Sequence, residues 1–359
     1  MKKILALILA LTLLTTGCAP VSSGKVKEKE TRTITDSSKR KVELPENVQT
    51  IVCLGVGALR FTTYMDSLDL VVGTEQNELE KTLSKPYNYI NNEFLNTLPV
   101  IGDNGEAYEE EILKVAPDVI ITSNTGDFAD TLQEKLTIPV MTIPLVDNMF
   151  DSTCLETISL LGDVFQKKER AHELTTYIQD LKTDLTLRTA TLMDEDKPTA
   201  YVGGVSFKGL HGFEGTEAGY SPLTAIGARN IADDMGQSGP FNMDLEEILK
   251  RDPEIIFVDH NGLALMTEDY EKNPDYYQSL SAFKNGQVYS QISFRFSAVN
   301  IELALADAYY AGTVMFPEVF TDIDPAVKAD EIFETFLGTP LYDEFVANDV
   351  AFGPITWEK

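Results

Sequence analysis

Two stretches of the chain, EEILKVAPDVIITSNTG at residues 110–126 and EEILKRDPEIIFVDHNG at residues 246–262, repeat one pattern at a constant offset of 136 residues. Eight of the seventeen aligned residues are identical. The residue before a proline avoids helical geometry, so the amphipathic half of each copy is predicted to be a helix that ends before Pro117 or Pro253. The apolar run that follows is predicted to be a buried strand. One chain therefore builds the same helix-to-strand unit twice, which indicates two similar lobes.

Short strands and helices alternate on both sides of each copy. Runs such as residues 51–54 and 119–122 are almost wholly apolar, which is typical of strands covered on both faces in a parallel sheet. From about residue 151 to residue 193 this alternation stops and the pattern favours helix, with a break near residues 162–167. We therefore predict an α/β fold in which two Rossmann-like lobes with mainly parallel sheets are joined by a long interdomain helix.

The N-terminus has the layout of a lipoprotein signal. Two lysines precede an apolar run that is too short to cross a bilayer, and small residues then lead to Cys18. Thr15 is the one departure from the usual pattern. The predicted segments are a signal peptide at residues 1–17, a lipidated N-terminus and tether at 18–32, an N-terminal lobe at 33–150, linking helices at 151–197 and a C-terminal lobe at 198–359. The protein is thus expected outside the cytoplasm, anchored by lipid to the cell membrane.

Charge and metal-ligating residues narrow the partners. The formal net charge of −28 disfavours nucleic acid and anionic lipid headgroups. Cys53 and Cys154 lie in apolar patterns and are predicted to be core residues rather than a disulfide or a metal pair. The chain has three histidines, His172, His211 and His260, and only His211 falls in the glycine-rich stretch described below. Too few histidines are available across the two lobes for a site that holds a bare transition-metal ion.

Ligands of open α/β sheets lie beyond the carboxyl ends of the strands. This rule predicts that residues 123–125 of one lobe and 259–261 of the other form the rims of a shared cleft. Each helix of the repeat runs antiparallel to its strand and so begins at the same end. Glu110 and Glu246 are therefore expected near the cleft-side surface, one on each lobe.

Four stretches together carry a family resemblance: DSSKRKVELPENVQTIVCLG, DLVVGTE, EEILKVAPDVIIT, and YSPLTAIGARNIADDMGQSGPFNMDLEEILKRDPEIIFVD. In this order and spacing the chain, from about Thr33 onward, resembles the substrate-binding lipoproteins of ABC importers that capture iron-siderophores, haem or cobalamin. The resemblance implies a class III periplasmic-binding-protein-like fold, a monomer without enzymatic activity or a cofactor of its own, and a permease as partner. The long single connection between the lobes predicts a hinge motion that is small rather than wide.

The same resemblance implies a role for Glu110 and Glu246, which stand seven positions before the proline of each repeat copy. In the family, acidic residues at these positions meet arginines of the permease. The alternative is that each glutamate only stabilises its own helix through an ion pair. Each lies four residues before a lysine, Lys114 or Lys250, in the order that stabilises a helix.

The ligand is expected between the lobes. Residues 203–219 contain six glycines, which let backbone approach a ligand closely, and Arg295 follows a predicted strand with a side chain suited to anions. The candidate ligand-binding residues are Arg60, Glu75 and Asn104 in the first lobe, and Phe207, Lys208, His211, Tyr220 and Arg295 in the second.

Two alternatives to a metal-chelate carrier stay open. Arg60, Lys208 and Arg295 could supply the donors for an oxyanion such as molybdate or tungstate. A secreted hydrolase would use Ser206 with His211, although the chain has neither a G-x-S-x-G elbow nor an H-E-x-x-H pair.

Overall fold

The computed structural model describes residues 30–357. The predicted signal peptide, the lipidation site Cys18 and most of the tether lie outside these residues. The predicted tether extends to residue 32, but the chain already enters strand β1 (Thr31–Thr35), which pairs antiparallel with β2 (Lys41–Pro45). Val42 and Leu44 of β2 are buried while Lys41 and Glu43 are exposed, so one face of this hairpin covers the first lobe.

The first lobe is built on one sheet with strand order β6-β5-β4-β3-β7-β8. Its pairings are parallel except that between β5 and β6. The strands are β3 (Ile51–Leu54), β4 (Val71–Glu75), β5 (Val100–Asp103), β6 (Glu106–Ala107), β7 (Val119–Thr122) and β8 (Val140–Thr142). The helices are α1 (Ala58–Tyr64), α2 (Pro86–Leu95), α3 (Glu109–Val115) and α4 (Gly126–Leu136), with short 3-10 turns at Leu68–Leu70 and Gln76–Glu78. Every residue of β3 and β7 is buried, as expected for strands covered on both faces.

Two helices join the lobes, α5 (Ser152–Val164) and α6 (Lys168–Thr189). They occupy the segment whose pattern predicts helix, and they separate at residues 165–167, inside the predicted break. The stripe of apolar residues on α6 is buried: Leu174, Ile178, Leu181 and Leu185.

The second lobe repeats the plan with strand order β11-β9-β13-β14-β15, parallel apart from the pairing of β15. Its strands are β9 (Thr199–Gly203), β11 (Arg229–Asn230), β13 (Ile255–Asp259), β14 (Val288–Gln291) and β15 (Gly353–Pro354), beside a separate antiparallel pair of β10 (Gly215–Ala218) and β12 (Gly239–Asn242). The helices are α7 (Ser221–Ala225), α8 (Leu245–Arg251), α9 (His260–Lys272), α10 (Pro274–Ser279), α11 (Ser281–Lys284), α12 (Ile301–Met315), α13 (Pro325–Leu337) and α14 (Tyr342–Ala347). Short 3-10 turns lie at Asp194–Asp196, Asp233–Met235 and Pro317–Val319. The predicted fold class is confirmed.

The two copies of the sequence repeat adopt the same local structure. Helices α3 and α8 both end in a left-handed residue, Ala116 with φ 47° and Asp252 with φ 46°. In each case the N–H of that residue returns to a helical isoleucine carbonyl, that of Ile112 or Ile248, and a proline follows. The strands β7 and β13 then take interior positions in their sheets.

The main hydrophobic core runs through both lobes and the joining helices. Helix α12 is nearly completely buried, including its two acidic residues, Glu302 and Asp307. It packs against α13, α7 and α6. Cys53 and Cys154 are buried free thiols in this core, as predicted.

Candidate functional site

A cleft lies between the lobes at the carboxyl ends of their parallel strands. Its cavity has a volume of about 650 Å3, within the range of small-molecule sites. The first lobe and the segment that leaves it contribute Val56, Leu145 and Asp147. The second lobe contributes residues 206–210, Pro240, Asn261 and residues 295–298.

Apolar side chains dominate the exposed lining of this cleft. Val56, Leu145, Leu210 and Phe296 line the cavity and are 37%, 50%, 64% and 41% exposed. Large apolar side chains that converge on one cavity indicate a binding surface, since exposed apolar residues on a soluble protein are ordinarily scattered. The cleft is therefore suited to a ligand with apolar faces.

The loop that carries Arg295 and Phe296 is fixed from the opposite lobe. Ser297 and Ala298 have φ of 50° and 65°, so the chain turns directly after Phe296, which lines the cavity. Arg60 on α1 donates to the carbonyls of Phe296 at 3.0 Å, Ser297 at 2.9 Å and Val299 at 3.1 Å.

Arg60 therefore does not line the cleft, contrary to the sequence-based expectation. Its side chain is 1% exposed, and its guanidinium also lies 5.2 Å from the centre of the Tyr87 ring. A buried guanidinium is stable only when it is bonded in this way, and its partners here are protein carbonyls. Its role is to hold the cleft loop in place.

Arg295 does face the cleft, but its charge is already matched. Nε donates to one carboxylate oxygen of Glu217 at 2.6 Å, and Nη2 donates to the other oxygen and to the Asp147 carbonyl at 3.3 Å. Glu217 is 4% exposed. Burial raises the pKa of Glu217 and the guanidinium of Arg295 opposes that shift. Both partners belong to the second lobe, so the ion pair does not join the two lobes.

The glycine-rich loop presents a stacked pair of rings. Phe207 and His211 stack with centroids 4.0 Å apart and planes 7° apart, and His211 Nε2 lies 2.9 Å from the Phe207 carbonyl. Phe207 and the exposed Lys208 line the cavity. His211 stands behind Phe207 and supports it.

Glu75 lies beneath the loops of the first lobe rather than on the cavity surface. It is 4% exposed, and its carboxylate accepts from the backbone N–H groups of Gly105 at 2.6 Å and Gly55 at 2.8 Å. Both glycines have positive φ, 86° and 82°, which favours glycine there. Burial raises the pKa of Glu75 to about 7, although both hydrogen bonds lower it. Asn104 is exposed, and its side chain bonds to Asp103 at 3.1 Å.

Two further expectations are changed by burial. Tyr220 is 1% exposed and accepts a hydrogen bond from the side chain of Gln291, so it belongs to the core behind the cleft. Of residues 259–261, Asn261 lines the cavity. Asp259 is buried and accepts from the hydroxyl of Ser293. Of residues 123–125, Asn124 donates to the Gly105 carbonyl at 2.8 Å.

Comparison with known proteins identifies the family. The model of a family described as periplasmic binding protein matches residues 69–291. The chain belongs to this family. A putative ABC transporter substrate-binding lipoprotein of Bacillus subtilis, YhfQ, is 25% identical over 80% of this chain and 90% of its own length. The molybdate-binding protein MolA of Haemophilus influenzae is 23% identical over 86% and 91%. A solved periplasmic solute-binding protein from Veillonella parvula has a TM-score of 0.72 at 20% identity, covering 90% of this chain and 97% of that one.

In this periplasmic binding protein, the two candidate docking glutamates are free of the local ion pairs that sequence allows. Lys114 pairs with Glu111 at 2.6 Å and Lys250 with Glu247 at 3.2 Å. Glu110 and Glu246 are both exposed in the first turn of their helices. Neither has a salt bridge in the described part of the chain.

The arrangement gives the periplasmic binding protein no assembled hydrolytic site at the residues considered. Ser206 Oγ is buried without a hydrogen-bond partner, while His211 Nε2 is held by the Phe207 carbonyl. A nucleophile needs a base within hydrogen-bond reach, and this pair does not provide one. Across residues 30–357 there is no group of three or more His, Cys, Asp or Glu placed to hold a metal ion. Nor does this part of the chain contain a helix with the length and apolar character to span a membrane.

A larger groove of about 1090 Å3 lies between β1 and the junction of α5 and α6. Its cations are already bonded: Arg32 donates to the Asp163 carbonyl at 2.7 Å, and Arg170 pairs with Asp66 at 3.1 Å. This groove is away from the carboxyl ends of the strands and is not the candidate site of the periplasmic binding protein.

Proposed function

We propose that this protein captures a metal chelate in the interlobe cleft and delivers it to the permease of an ABC importer. The observation that carries the proposal is the cavity of about 650 Å3 with four large apolar side chains on its surface. An iron-siderophore, a haem or a corrinoid has apolar faces that such a lining would cover, and brings its metal already coordinated. Family membership supports the transport role.

The proposal includes the membrane anchor of the protein and its contact with the permease. Cys18 would carry the lipid that keeps the protein at the outer surface of the cell membrane, and the described chain would work as a monomer. Glu110 and Glu246, exposed and without a salt bridge within residues 30–357, would meet cationic groups of the permease.

An oxyanion is the second candidate, and the similarity to the molybdate-binding MolA favours it. The side chains weigh against it. Of the three basic residues expected to supply donors, Arg60 is buried on carbonyls and Arg295 is paired with Glu217. Lys208 alone of the three is exposed in the cleft without an ion pair in the described chain.

A thermal-shift screen tests the proposal on the chain from Ala19 onward, which keeps all of residues 30–357. The panel contains haem, cobalamin, cobinamide, ferric hydroxamate and catecholate siderophores, ferric citrate, molybdate and tungstate. A ligand that binds only the folded state adds about 2.7 kcal/mol to the free energy of unfolding at a hundredfold excess over Kd. A shift with a chelate that is reduced by Phe207→Ala supports the proposal. A shift with molybdate or tungstate alone would replace it with the second candidate.

A further inference from the structure

The contacts of Arg295 divide its donors into two groups. Nε and Nη2 are bonded to Glu217 and Asp147. Nη1 makes no hydrogen bond within residues 30–357, although Arg295 lines the cavity. An acceptor atom of a ligand is therefore offered the N–H donors of Nη1.

Those donors come without a net positive charge. Both oxygens of Glu217 accept from the guanidinium, which is the bidentate geometry of an arginine with an ionised carboxylate. Glu217 is buried behind Arg295, so solvent cannot weaken the pair as it does at a surface. An anionic ligand gains little from a cation whose charge is already matched, and it is repelled by the carboxylate.

The rest of the lining does not restore a positive charge. Asp147 is exposed at the cavity, and its negative charge offsets the positive charge of Lys208. Asp233 adds to the negative field at Glu217. The whole chain, at −28, also repels anions as they approach.

We infer that Glu217 sets the charge preference of the cleft: by engaging Arg295 it leaves hydrogen-bond donors without net charge, so that the cleft accepts neutral or cationic chelates and disfavours anionic ones. This inference rests on the proposed function and narrows its ligand class. Neutral oxygen acceptors, such as those of a hydroxamate or an amide, match donors of this kind.

Binding titrations test the inference with four probes on the chain from Ala19 onward. Ferrichrome is neutral, ferrioxamine B is cationic, and ferric citrate and molybdate are anionic. The wild type is expected to bind a neutral or cationic chelate at least roughly tenfold more tightly than either anion. Glu217→Gln removes one charge beside the cavity and is expected to strengthen anion binding by roughly tenfold or more, without a matching gain for the neutral chelate.

Glu247→Gln is the matched control. It also removes one carboxylate that is paired with an arginine of the second lobe, Arg251, at 2.8 Å, but on α8 and outside the cavity lining. The ratio of anion to neutral affinity is expected to stay that of the wild type. If Glu217→Gln does not fold, Asp147→Asn tests at an exposed position whether a carboxylate beside Arg295 lowers anion affinity, and the ratio is expected to change in the same direction.

The outcomes distinguish a failure of the charge inference from a failure of the proposed function. Tighter binding of ferric citrate than of ferrichrome and ferrioxamine B by the wild type, or an unchanged ratio in Glu217→Gln, would overturn the charge inference and leave chelate capture standing. Tighter binding of molybdate than of every chelate would overturn the charge inference and replace chelate capture with the oxyanion candidate. Binding of none of these probes, together with no shift in the thermal screen, would overturn the proposed function and the inference with it.

Discussion

Arg60 stabilises a loop of the opposite lobe through three hydrogen bonds to backbone carbonyls. Arg60→Met keeps much of the apolar stem but leaves these carbonyls, which are buried or partly buried, without a donor. The free energy of unfolding is expected to fall by about 3–5 kcal/mol, and ligand affinity is expected to fall with it because Arg295 and Phe296 lose their support. Denaturant titration measures the first effect and ligand titration the second. The control is Arg229→Met, at an exposed arginine; a loss for Arg60→Met no larger than that of the control would contradict this account.

Glu75 gives the stability of the protein a dependence on pH. Burial raises its pKa from 4.5 to about 7 in the folded state, so between these values the folded chain holds a proton that the unfolded chain releases. The contribution of Glu75 to the free energy of unfolding is complete below pH 4.5 and is lost as pH rises through about 7. This loss amounts to about 3 kcal/mol. Unfolding titrations at pH 5 and pH 7.5 should show that Glu75→Gln reduces the loss found in the wild type. Asp259, whose pKa burial also raises to about 7, still contributes in the variant, so parallel pH profiles of the two proteins would refute the role of Glu75.

The residues show where sequence reasoning stops at this scale. The presence of Arg295 and Phe207 in the cleft lining could be predicted from residue type and from their place after a strand or in a glycine-rich loop. Arg60 and Tyr220 have equally suitable chemistry but point into the protein, because direction depends on which lobe packs against them. Phe296 is absent from the residues predicted to bind ligand, because it lies beyond the end of β14 and before the left-handed turn at residues 297–298, where no periodic pattern predicts the direction of a side chain.

The crossing of α5 and α6 depends on a small residue in each helix. A Cβ added to Gly162 would lie 2.5 Å from Cβ of Ala171, so Gly162→Ala forces the helices apart. The cost of overpacking, typically about 1–3 kcal/mol, exceeds the helical preference that alanine gains over glycine, about 1 kcal/mol. The variant is therefore expected to be less stable than the wild type by denaturant titration.

Exchange of the two residues supplies the control. Gly162→Ala combined with Ala171→Gly restores the space and keeps one alanine and one glycine in the helix pair. We expect this double variant to be within about 0.5 kcal/mol of the wild type, which is a non-additive result for neighbouring sites. A double variant whose loss equals the sum of the single losses would show that this contact does not set the crossing.

Elements with strong periodicity are the ones that sequence predicts best. The stripe of Leu174, Ile178, Leu181 and Leu185 places α6 correctly because every member is buried on one side. The hairpin of β1 and β2 and the helix α2 receive no such prediction, since they are short and stabilised by the lobe they cover. Helix α12 begins only at Ile301, because Ala298 is left-handed and Asn300 is the N-cap.

The two lobes are tied together at the closed side of the cleft. Besides Arg60, Tyr64 on α1 donates to the buried Glu302 of α12, and Asn300 donates to the Ser84 carbonyl at 3.0 Å. Such buried contacts, together with the two joining helices, oppose a wide opening of the lobes. We therefore expect the outer surfaces of the two lobes to keep a nearly fixed relation to each other.

Glu110 and Glu246 occupy matching places on those surfaces because each stands in the first turn of a repeat helix. Exposed charges at the rim of an interface govern the rate and specificity of association, and neither glutamate touches the ligand cavity.

Glu110→Lys and Glu246→Lys are thus expected to leave ligand affinity unchanged while reducing uptake by cells roughly tenfold, with a larger loss in the double variant. Glu93→Lys and Glu268→Lys, at exposed glutamates of α2 and α9, change the net charge equally and should retain uptake. Equal losses in the two pairs would assign the effect to overall charge, whereas a loss of ligand affinity in the first pair would place these residues in the binding site instead of at the permease.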